Sequence, residues 1–161
     1  MYQLLLSAYC YEQKLGHLSE SLEHATLTSL LEEVTSLRHL SNGIILHICN
    51  LDDDDGAGSL RAMTKSMGKM NEYAQSAGEC SKILARYRAQ IQEFKRKHRN
   101  QYIAHRNVED YPNPLDLPDY RAAFRDIIQT ALSALQRIWG STMEFGFRHG
   151  AKGPAIEPPR F

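Results

Sequence analysis

Arg99, Asn100 and His105 have the types and spacing for acid–base chemistry on a phosphodiester. An RNA 2′-hydroxyl is its own nucleophile, so a protein that cleaves RNA needs only to move protons and stabilise charge. Histidine suits general acid or base work near neutral pH. Arginine is always charged, and its planar fork matches phosphate oxygens. Asn100 can position a phosphate or the 2′-hydroxyl. Carboxylate-based metal chemistry fits this stretch poorly, because Glu109 and Asp110 are its nearest downstream acids.

The element that must hold these residues is a long helix expected from about Tyr73 to His105. At about 100° per residue, Leu84, Tyr87, Ile91 and Phe94 share a face with His98, Tyr102 and His105. The stripe is thus apolar at its start and polar at its end. Burying histidine costs free energy unless it is paired, so this polar end suits an open bundle end, a site or a dimer interface. Arg99 and His105 stand about 120° apart around such a helix and about 9 Å apart along it. One straight helix does not join them easily. Two copies packed antiparallel across a two-fold axis would bring one chain's Arg near the other's His.

Charge points the same way. Residues 86–106 hold seven Lys or Arg and one Glu, in a chain whose formal net charge is zero. The rest of the chain is therefore net acidic by six. Opposite charges at i,i+4 are nearly absent from this stretch, so its cations are expected to repel one another. Lys95, Arg96, Lys97, His98, Tyr102 and Arg106 are the expected RNA-contacting residues around the Arg/His pair.

The remaining pattern is helical. Leu27, Leu31, Val34, Leu37, Ile44 and Ile48 form part of one stripe on a helix of about seven turns, with Thr26 or Thr28 as N-cap. Residues 2–15 read as an earlier helix that Gly16 stops. Asp52 to Asp55 read as a solvated acidic turn that shields the helix end, and Ser59 as the cap of a short helix from Leu60 to Met67. A last apolar helix begins near Asp116 or Leu117. Its stripe includes Phe124, Ile127, Ile128 and Leu135, and Trp139 is expected in the core. No alternating strand or internal repeat stands out. The expected fold is an all-α bundle of four to five helices. Residues 1–145 form one domain, and residues 146–161 a flexible Gly/Pro-rich tail.

Several functions are set aside. Cys10, Cys49 and Cys80 form no C-x-x-C pair and are expected as buried small hydrophobes. Met63 stands where a calcium loop starting at Asp52 needs a glutamate. His17, His24, His39, His47 and His149 show no metal-ligand spacing, and His47 is expected in the core. The longest apolar run, residues 43–49, is too short to span a bilayer. Met1 to Leu6 lack a basic n-region, so no targeting leader is expected. No metal or cofactor, no membrane association and a cytoplasmic location are expected.

Residues 99–107, RNQYIAHRN, resemble the R-x(4–6)-H signature of the HEPN superfamily, all-helical domains with many RNA-cleaving members in toxin–antitoxin and phage-defence systems. The fuller string is most similar to the abortive-infection U-type branch, where it closes a long helix. A second similarity is residues 45–52, ILHICNLD, followed by Ser59-Leu60. The resemblance covers about residues 27–139. It implies an HEPN-like bundle with Arg99 and His105 as the catalytic pair, Asn100 as the polar residue after the Arg, and Tyr102 as a packing or base-stacking position. It also implies a homodimer with the motif helices together. A toxin would further imply a cognate antitoxin protein. Asn107 departs from the acid common at that place. Some members of the superfamily do not cleave RNA, so a non-catalytic module that binds RNA, a nucleotide or a protein is the alternative. A purely structural helical dimer is the third reading.

Overall fold

The computed structural model describes residues 1–22, 25–54, 56, 58–96, 119–141, 147–148 and 155–156. Among these residues the fold is an all-α bundle of five helices: α1 (Tyr2–Ser21), α2 (Leu27–Leu51), α3 (Leu60–Met67), α4 (Ala74–Phe94) and α5 (Arg121–Trp139). A 3-10 turn, Asn71–Tyr73, leads into α4, and Lys95 and Arg96 follow it in π-helical geometry. Two-residue strands, Phe147–Arg148 (β1) and Ala155–Ile156 (β2), pair antiparallel within the stretch expected as a tail. Among the described residues, no helix is long and apolar enough to cross a membrane.

Local chemistry sets the helix starts. The Thr26 hydroxyl accepts from the Ser29 amide at 3.2 Å and caps α2. The Ser59 hydroxyl accepts from the Ala62 amide at 3.1 Å and caps α3. The first helix departs from expectation, because α1 runs through Gly16 to Ser21. A glycine costs a helix interior about 1 kcal/mol. Leu15 and Leu18, on either side of it, pack against the core and hold the helix together.

The helices pair as antiparallel neighbours. Lys14, late in α1, meets Glu33, early in α2, at 2.7 Å. Glu79, near the start of α4, meets Arg137, near the end of α5, at 3.1 Å. Leu4 and Leu5 of α1, Leu37, Ile44 and Ile48 of α2, Leu60 of α3, and Ile128 and Ala131 of α5 join one core with the α4 stripe. The buried Thr64 hydroxyl and Cys80 thiol lie 3.0 Å apart and tie α3 to α4.

Three side-chain expectations need correction. The α2 stripe is buried only from Val34 onward, and Leu27 and Leu31 lie exposed at its start. Trp139 is 66% exposed, because α5 runs on past Leu135, its last buried residue. Cys49 and Cys80 are buried as expected, whereas Cys10 is half-buried.

His47 lies half-buried on α2. Burial, and then the positive amino terminus of Met1, push its pKa below the ordinary 6.5. The folded state thus binds this proton less readily than the unfolded chain. Stability should be full above about pH 6.5 and decline as pH falls through the lower folded value. Urea midpoints between pH 7.5 and 5 would show the decline, and His47→Gln should reduce it. An identical slope in the variant would contradict this account.

Candidate functional site

The site begins where α2 ends. An α-helix leaves its last four carbonyls without helical partners. The Ile48 carbonyl is one of them, and the buried Tyr87 hydroxyl of α4 donates to it at 2.6 Å. Burial, above all, drives the Tyr87 pKa far above the ordinary phenol value, so the hydroxyl keeps its proton as a donor. Tyr87→Phe should leave that buried carbonyl unpaired and cost about 1–2 kcal/mol, read from urea denaturation. An unchanged midpoint would show that the bond adds nothing.

Asp52 caps the same helix end, and its side chain has no exposed surface. Its Oδ2 accepts from Arg88 Nε at 2.9 Å and from Lys95 Nζ at 2.7 Å. Arg61 Nε of α3 stands 3.9 Å from Oδ1, which accepts no hydrogen bond among the described residues. Asp54, exposed on the following loop, lies 2.6 Å from Arg61 Nη1 and 3.5 Å from Arg88 Nη2. The hydrogen bond to Asp52 is the main cause raising the Arg88 pKa above its ordinary value.

Helical spacing explains the convergence. Arg88 and Lys95 are seven residues apart, so they fall nearly on one line of α4, about 10 Å apart in rise. Each directly follows a buried aromatic, Tyr87 or Phe94, and so flanks the core stripe. Two long side chains thereby reach a single carboxylate oxygen from the two ends of this line. The opposite flank of the helix end is aromatic. The Phe94 ring lies 5.4 Å from that of Tyr120 and 5.7 Å from that of Phe124. The Phe124 ring in turn meets that of Tyr11 of α1 at 5.6 Å. The last turn of α4 is thus fixed by ion pairs on one side and ring packing on the other.

Two expectations change here. The Asp52–Asp55 stretch was expected as a solvated turn; Asp53 and Asp54 are exposed, but Asp52 is fully buried. The expected repulsion along α4 is relieved at Arg88 and Lys95, because their counter-charges come from Asp52, 36 and 43 positions away in sequence. No i,i+4 count reveals such partners. One sequence signal did exist. Asp52 continues the four-residue spacing of Ile44 and Ile48, which places it on the buried face.

Of the expected site residues, Lys95 is half-buried on Asp52 and Arg96 is exposed. Lys97, His98, Arg99, Asn100, Tyr102, His105 and Arg106 lie outside the described residues. Arg61 was not singled out by sequence, and Asp52 was read only as part of a solvated acidic turn and of the second similarity, yet the structure gathers both with Arg88 and Lys95. Among the described residues, no group of three or more His, Cys, Asp or Glu is arranged to hold a metal ion. Comparison with protein-family models, with curated proteins and with solved structures finds no match.

Proposed function

We propose that this chain is a metal-independent endoribonuclease of a toxin–antitoxin or phage-defence system, cytoplasmic and active as an HEPN-like homodimer. One observation carries the reading most directly. The last turn of α4, locked to Asp52 through Lys95 and to Tyr120 through Phe94, leads directly into residues 97–107, the stretch richest in chemistry-bearing side chains. A site that must hold reacting atoms to a fraction of an ångström benefits from such a rigid base.

In this reading the 2′-oxygen attacks the adjacent phosphorus and the bond to the 5′-oxygen breaks. The products are a 2′,3′-cyclic phosphate and a 5′-hydroxyl. His105 moves the proton, Arg99 neutralises charge on the phosphorane oxygens, and Asn100 orients the phosphate. Arg96, Lys97, His98, Tyr102 and Arg106 contact the strand. Lys95 contributes its charge while held by Asp52. A cognate antitoxin protein would cover this basic surface.

The composite dimer site has a direct test. An Arg99→Ala chain mixed with a His105→Ala chain should recover up to about a quarter of parental cleavage, since about half the dimers are mixed and each regains one of two sites. Each variant alone should be inactive. No recovery in verified mixed dimers would overturn the shared site.

A further inference from the structure

An open groove of about 680 Å³ lies between α3 and α4. Among the described residues, its charged lining is Arg61, Lys65 and Arg88 against the carboxylate of Asp54, a surplus of two positive charges. Small residues, among them Gly68, Ala77 and Gly78, leave room beside these side chains. Lys65 is exposed and pairs with no carboxylate among the described residues. Arg61 Nη1 is 2.6 Å from the Asp54 carboxylate without an aligned hydrogen bond, so Asp54 is the group that a ligand must displace there.

Among the described residues, two carboxylates contact both guanidinium groups, and Asp54 is the exposed one, two-thirds exposed on a loop. It stands where an oxyanion ligand would sit. Asp52, beneath, cannot be displaced in this way, since it is buried and holds Arg88 and Lys95. We infer that this groove is a phosphate-binding subsite for an RNA strand, in which a phosphodiester oxygen takes the place of the Asp54 carboxylate between Arg61 and Arg88. Two converging guanidinium forks suit a phosphate. The volume suits one nucleotide. Arg88, in the groove wall, shares Asp52 with Lys95, so an ion-pair chain links the groove to the helix end that precedes residues 97–107. The choice of RNA as the phosphate source rests on the nuclease reading.

The test uses the full chain carrying His105→Ala, so that RNA survives, with anisotropy of a fluorescein-labelled single-stranded RNA at several salt concentrations. Asp54→Asn removes the internal competitor and should tighten binding about 3- to 10-fold. Lys65→Gln should weaken it about 3- to 10-fold and lower the salt slope by about one. Both positions are exposed, and thermal melts will verify the fold. Parental affinity in both variants at every salt, or no RNA binding at all, overturns the subsite. Competition by AMP or inorganic phosphate as effective as that by RNA would assign the groove to free phosphates. Equal competition by polyglutamate at matched charge would assign it to an acidic protein. Either result overturns the RNA assignment. Cleavage by the parent chain is measured separately. Cleavage with an unresponsive groove defeats the subsite alone, and a responsive groove without cleavage defeats the nuclease reading alone.

Discussion

Replacing His105 with alanine is expected to reduce RNA cleavage by about 10²- to 10⁴-fold, the usual contribution of a positioned proton-transfer group. Arg99→Ala should be at least as damaging, because it removes both charge and bidentate geometry at the phosphorane. Arg99→Lys restores charge without the fork, so it should recover little activity. The measurement is the initial rate on total RNA and on tRNA, beside melts showing that each variant is folded. Both residues lie outside the described residues. Melting temperatures close to the parental value, beside the lost rate, are the result expected of a purely chemical role. Parental rates in both variants would remove these residues from the chemistry.

The second large effect concerns Asp52. Removing one partner of a buried ion pair typically costs about 3–5 kcal/mol, because the survivor is stranded. Here Arg88 and Lys95 retain contact with water, with side chains 42% and 23% exposed. Asp52→Ala should accordingly cost about 2–3 kcal/mol, below the range for a fully buried pair. In a chain of this size that lowers the melting temperature by about 5–10 °C. Asp52→Asn keeps the shape and one acceptor oxygen and should lose less. Cleavage should fall in the alanine variant even where the protein remains folded, since loosening the end of α4 misplaces whatever follows it. A shift of about 1 Å at a reacting group can cost about 100-fold. Equal stability and equal rate in Asp52→Ala would show that the ion pairs neither hold the fold nor position the helix end.

The helices were legible because their information is local. The α4 stripe of Leu84, Tyr87, Ile91 and Phe94 predicts its own burial, and Thr26 and Ser59 announce the helices they cap. Where tertiary contacts decide, the sequence misleads. Gly16 reads as a stop, but the packing of Leu15 and Leu18 carries α1 onward. Trp139 reads as core, but the helix outlasts its buried neighbours. The electrostatics were the least legible part. Five charges converge from the end of α2 and its loop, α3 and the end of α4, and only three-dimensional packing brings Arg61 and Arg88 to Asp54 and Arg88 and Lys95 to Asp52. The Arg99–His105 pairing is an expectation from residue chemistry and the family resemblance, and both residues lie outside the described residues.

The most direct test of the central claim is incubation of the purified chain with RNA in EDTA, with analysis of the product ends, beside His105→Ala. Cleavage by the parent alone, leaving 2′,3′-cyclic phosphate and 5′-hydroxyl ends, is the predicted result. Cleavage that needs an added divalent cation, or that persists in His105→Ala, would contradict it. So would a folded, dimeric parent that binds RNA and leaves it intact, which would make the chain a binding module.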